Sequence, residues 1–225
     1  MKTIDDALFS TKWDLLQLIA RSKNKTPTEL ARVLNTSLAN ITQQLKLLEA
    51  YGLVGKEKEN NPEKKVGKPK LRYTLSKDVA SLAVVGEGFA EKKSIVPTDY
   101  SVVFLKALLS ASSEDAEALL KFLMTHDELM QKCKGIGLVK ITKDSLELFL
   151  HTEFIDEIRK KHSHAVVADP SFKSKKIICW THSDFEIDDG LKRKDPYFVN
   201  MFKNMAILLD KSAKLTLQRS AVQNP

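Results

Sequence analysis

The chain has 225 residues, 43% hydrophobic and 29% charged, which suits one or two globular domains and excludes wholesale disorder. No apolar run approaches the roughly 20 residues of a membrane span, and the opening MKTIDDALFSTKWDLL lacks the apolar core of a secretory signal, so the expected compartment is the cytoplasm. The net charge is +7, and residues 1–100 hold most of it, with 17 Lys+Arg against 12 Asp+Glu. That is where phosphates would be neutralised if the partner is a nucleic acid.

A first helix is predicted from Ser10 or Thr11, with Asp14 three places after Thr11 and an apolar face built from Leu15, Leu16, Leu18 and Ile19. A second starts at Thr26, where Pro27 takes the first position and Glu29 closes a capping box. Asn35 and Thr36 turn the chain, and Ser37 caps a third helix. Leu38, Ile41, Leu45 and Leu48 share its buried face. Ala39, Asn40, Thr42, Gln43 and Lys46 then face outward. Asn and Gln can pair with adenine edges, Thr and Ala can meet a thymine methyl, and Lys can reach phosphate. Polar residues on an outer helix face are also what plain solvation produces.

Gly52 ends the third helix and Leu53 folds back on it. Two strands are predicted, Val54 to Lys58 and Lys70 to Leu75, the second with Leu71, Tyr73 and Leu75 on one face. Between Gly55 and Arg72 lie seven Lys/Arg and three Glu. Lys64, Lys65, Lys68, Lys70 and Arg72 make the hairpin basic, as a phosphate contact requires.

The run NTSLANITQQLKLLEAYGLV, the charged hairpin and LRYTLSKD resemble the winged helix-turn-helix of ArsR- and MarR-like transcriptional regulators. In those families a Leu-Glu-x-x-Gly-Leu-Val segment links recognition helix to wing, and here Leu48 to Val54 matches it. The resemblance spans residues of about 10–78. It implies a homodimer whose third helix enters the major groove, with Ser37, Ala39, Asn40, Thr42, Gln43 and Lys46 at the duplex. Lys64, Lys65, Lys68, Lys70 and Arg72 would then lie on the backbone. Gln43 stands where these families most often carry Arg or His. The cysteine pair of their metal sensors is absent, since no Cys precedes Cys133.

Residues 78–85 are apolar enough for burial, and Glu91 to Pro97 is read as a connector. A helix from Thr98 to Ser110 is apolar around most of its circumference, which suits either a dimer helix or a core helix. A further helix, capped by Ser112 or Ser113, carries Leu119 and Leu123. Strands are expected at 138–141, 146–150 and 177–180, with a polar helix at 155–161, a spacer of lysines near 175, and a closing helix at 196–209.

Cys179-x-x-His182 with Asp184, His162 and His164 has the residue types of a zinc site but not its paired spacing. Asp184, Glu186, Asp188 and Asp189 could hold Mg²⁺, yet no Gly-rich phosphate loop accompanies them. Gly135-Ile136-Gly137 is only a fragment of one. The two cysteines form no disulfide framework. Neither a metal, a cofactor nor a catalytic set is therefore assigned.

The expected fold is mainly α with α+β. Residues 1–95 form a winged helix-turn-helix domain, and residues 96–225 an α+β dimerisation or effector domain with a small antiparallel sheet. The expected function is a DNA-binding transcriptional regulator that partners double-stranded DNA, is a homodimer, and has room for an effector in its C-terminal domain. Two other readings stay open: a protein-interaction adaptor in a transcription or RNA-processing assembly, and an enzyme with a winged-helix targeting domain.

Overall fold

The computed structural model describes residues 12–21, 25–58, 70–169 and 172–223, in two units, Met1–Pro97 and Thr98–Pro225. The first unit opens with α1 (Trp13–Arg21), α2 (Pro27–Val33) and α3 (Leu38–Ala50). Local chemistry fixes where they start. The Thr26 N–H donates to the Glu29 carboxylate at 2.7 Å, and the Thr26 hydroxyl accepts from the Glu29 N–H, so two otherwise orphaned donors are satisfied. Those bonds from Thr26 hold the Glu29 carboxyl below its ordinary pKa. Ser37 caps α3 by accepting from the Asn40 N–H.

The end of α3 is equally local. Gly52 takes φ +65°, a conformation that costs an L side chain energy, and Leu53 N–H donates to the Leu48 carbonyl at 3.0 Å. Ile41, Leu45 and Leu48 are fully buried against Leu15, Leu30 and Leu53. Each such side chain contributes about 2 kcal/mol relative to exposure. Leu38 does not join them. As the first residue of α3 it lies beyond the end of the helix contact and is 50% exposed.

β1 (Val54–Lys58) and β2 (Leu71–Leu75) follow as an antiparallel pair, with Val54 opposite Leu75 and Lys58 opposite Leu71. The Tyr73 N–H donates to the Lys25 carbonyl at 3.1 Å, so Lys25, just ahead of α2, lies beside β2. Only Tyr73 of the expected apolar face is buried. Leu71 and Leu75 flank it in the open. Residues 78–97 also depart from expectation: β3 (Ala80–Gly86) and β4 (Phe89–Ile95) form an antiparallel hairpin, exposed rather than buried, where a connector was expected.

The second unit is built on a five-stranded sheet in the order β7-β8-β6-β5-β9. Its elements are α4 (Asp99–Ser110), α5 (Ser113–Thr125), α6 (Asp127–Lys132), β5 (Cys133–Ile141), β6 (Ser145–Thr152), α7 (Ile155–His162), β7 (His164–Asp169), β8 (Phe172–His182), α8 (Asp184–Lys192), α9 (Pro196–Asn204), β9 (Ala206–Asp210) and α10 (Lys214–Gln223). The sheet is larger than the small antiparallel one expected, and mixed: β6 and β8 run parallel, from Ser145 opposite Lys176 to His151 opposite His182, and the other pairs are antiparallel. The period of two divides its side chains between two helical layers. Leu146, Leu148 and Leu150 meet Leu119, Phe122 and Ile158 on one face. Phe149 meets Ile187, Phe202 and Leu215 on the other.

Two expectations are corrected here. The closing helix stops at Asn204, because Met205 turns extended and residues 206–210 pair with β5 instead. An apolar run as short as Ile207-Leu208-Leu209 fits either state, and the open edge of β5 decides it. α4 buries only Val103 and Ala107 completely, while Leu108 and Leu109 are 53% and 86% exposed. Gly135 and Gly137 lie within β5, not in a phosphate loop. A Cβ on Gly137 would lie 2.0 Å from Met205 Sδ, so these glycines let the second helical layer approach the sheet.

Candidate nucleic-acid interface

The outer face of α3 is where the sequence placed the contacts, and the structure separates those residues by what holds them. Asn40 is clamped. Its Nδ2 donates to Thr36 Oγ1 at 3.0 Å and its Oδ1 accepts from Gln44 Nε2 at 3.1 Å. Thr42 turns its hydroxyl back to the Leu38 carbonyl at 2.7 Å, leaving its methyl outward. Ala39, Gln43 and Lys46 are exposed. Among the described residues no hydrogen bond ties down the Gln43 or Lys46 side chain. The face therefore holds one pre-set amide beside two exposed polar groups without such a clamp.

Thr36 and Gln44 are the residues that sequence reasoning passed over. Their spacing of four from Asn40 is the signal that could have found them. Arg32 is a third: with Asn35, Thr36 and Ser37 it lines a shallow depression of about 350 Å³ at the turn between α2 and α3. Of the hairpin cations, Lys70 is exposed and Arg72 is half-buried, close enough to Glu29 to add to the lowering of its pKa. Lys64, Lys65 and Lys68 lie outside the described residues. Lys56 on β1 pairs with Glu49 of α3 at 2.7 Å, which ties the strand to the helix.

In the second unit the sequence's metal candidates are drawn apart. Cys179 and His182 lie three apart on β8 and so face opposite sides of the sheet. Cys179 is in the core, where burial pushes its thiol up to about 12. His182 stacks on Phe149 with ring centroids 5.2 Å apart, and its Nε2 lies 2.9 Å from the Tyr197 hydroxyl. His162 Nε2 meets Glu128 at 2.8 Å. Among the described residues no three His, Cys, Asp or Glu side chains converge where a metal ion could sit.

The acidic cluster is the start of α8, capped by Ser183 and Glu186 in another reciprocal box. Asp184 receives Lys134 Nζ at 2.8 Å, Lys214 Nζ at 2.7 Å and His151 Nε2 at 3.1 Å. The two ammonium groups hold its carboxyl well below the usual carboxylate range. Asp188 shares Lys214, and Asp189 pairs with Arg193. A cavity of about 570 Å³ does open beside His182, but its walls are Arg159, Trp180 and Tyr197 rather than these acids. It forms beyond His164, the first residue of β7, where β8 runs on paired with β6 on its other side only, and Arg159 Nη2 donates to the Thr181 carbonyl at 2.8 Å.

Residues 7–74 match the model of the HVO_A0114 family, so the likeness covers the three helices and ends inside β2. None of the curated proteins compared with the chain matches it. Among the described residues no helix is long and apolar enough to cross a membrane.

Proposed function

We propose that the first unit is a winged helix-turn-helix, of the kind found in ArsR- and MarR-like regulators, and that the protein is a DNA-binding transcriptional regulator. The observation that carries this reading is the order of parts. α2, a tight turn through Asn35 and α3 are followed by the β1–β2 pair, and β2 is joined to Lys25 ahead of α2. In that arrangement α3 enters the major groove, with Asn40 and Gln43 at base edges and Lys46 at a phosphate. Lys70, Arg72 and the lysines of the hairpin tip follow the backbone, and two copies read two half-sites.

The test is a salt titration with labelled random duplex DNA, read by fluorescence anisotropy. Binding that weakens steeply with salt, at a slope of about −0.9 for each phosphate neutralised, supports the reading. No binding at low salt would sink it in favour of an adaptor that recognises protein.

A further inference from the structure

The β3–β4 hairpin presents two very different faces. Ala80, Leu82, Val84, Phe89 and Ile95 share one with Glu91 and Lys93. Ser81, Ala83, Val85, Ala90, Lys92 and Ser94 share the other. Every residue from Leu82 to Lys93 is exposed, Val84 by 52% and Phe89 by 49%. Two strands alone are marginally stable in water, so an apolar face of this kind calls for a cover.

We infer that the first face stacks on the same face of a second copy, about a two-fold axis lying across the strands. The cross-strand rows run 80/95, 82/93, 84/91 and 86/89 along the hairpin, spaced about 7 Å apart. A two-fold midway along exchanges the second row with the third. Leu82 then meets Val84 of the other copy, Lys93 meets its Glu91, and Ile95 meets its Phe89. Each contact occurs twice, as an isologous interface requires.

The other two-fold stackings of the hairpin faces fail. An axis along the strands would set Lys93 on Leu82 and Glu91 on Val84, burying both charges without partners. On the opposite face the middle row is Ala83 and Lys92, so the equivalent axis would set Lys92 against Lys92. Only the first face, with the axis across it, matches apolar to apolar and charge to opposite charge. The inference locates the two-fold of the regulator proposed above, and rests on that reading only for the number of copies.

Sedimentation velocity of the full chain over a concentration series tests it, because no residue of the two hairpin strands belongs to the buried clusters of either unit. Val84→Glu and Lys93→Glu should each move the monomer–dimer midpoint up by about tenfold or more. Val85→Glu, on the opposite face, should leave it in place. The double change Glu91→Lys with Lys93→Glu should restore it, since the swapped charges still meet across the axis. A parent that stays monomeric overturns the inference, as does a midpoint unmoved by Val84→Glu or a charge swap that fails to rescue. DNA binding is read separately by anisotropy. Its absence beside an intact charge-swap rescue would remove the regulator and leave the dimer.

Discussion

Lys175 Nζ lies 2.6 Å from the Asp115 carboxylate, and the two side chains are only 7% and 11% exposed. The ammonium group of this buried ion pair also donates to the Lys143 carbonyl at 2.8 Å. Burial by itself would raise the Asp115 carboxyl. The Lys175 ammonium and the Ser112 hydroxyl outweigh that and hold its pKa below the ordinary value. Removing one partner strands the other charge. Lys175→Met should therefore destabilise the second unit by about 3–5 kcal/mol in urea melts. Replacing both with apolar residues should cost much less.

Gln43 and Asn40 differ in what they must give up to touch a base. Gln43→Ala should flatten preference at one base pair by about 1–3 kcal/mol, measured by competition between duplexes. Gln44→Ala frees the Asn40 carbonyl oxygen and should weaken specific binding while leaving affinity for random duplex unchanged. Lys46→Ala should weaken all duplexes alike and lower the salt slope by about one.

Gly137→Ala pushes a methyl into Met205, whose sulfur would lie 2.0 Å from the new Cβ. Overpacking of this kind costs about 1–3 kcal/mol. Shortening Met205 to Ala in the same chain should recover part of the loss, so the two changes should be non-additive in thermal melts. Strict additivity would show that the methyl is accommodated elsewhere.

Acid should weaken the second unit through its buried imidazoles. Burial lowers the pKa of His151, His162 and His182, against the pull of Asp184, Glu128 and Glu186. The unfolded chain then binds protons more readily than the folded one, so stability is complete above about pH 6.5 and declines as the pH falls through the folded values. The melting temperature should drop between pH 7 and pH 5, and His162→Gln should make that drop shallower. A flat profile in the parent would show that the imidazoles titrate alike in both states.

What was legible in the sequence is what a few adjacent residues decide. The Thr26–Glu29 box, the Ser37 cap and the Gly52 stop are written at fixed short spacings, and the helices start and end there. The outward face of α3 follows from its period. The second unit depends on residues far apart in the chain. Lys175 belongs to a lysine-rich stretch that reads as a spacer until Asp115 takes it into the interior. Residues 206–210 read as the end of a helix until β5 offers them an edge. The acids from Asp184 to Asp189 read as a possible ion site until Lys134, Lys214 and Arg193 occupy them.

β9 also carries a consequence for the order of events during synthesis. The core of the first unit is complete once Tyr73 and Val79 have left the ribosome, and domains generally fold as they emerge. The second unit has no such freedom. Its strand β5 appears early but keeps one edge bare until Ala206–Asp210 arrives, and Leu215 reaches its seat against Gly135 only after that. A nascent chain exposed only as far as α9 would thus present a finished first unit and, in the second, a β5 edge open to any passing strand.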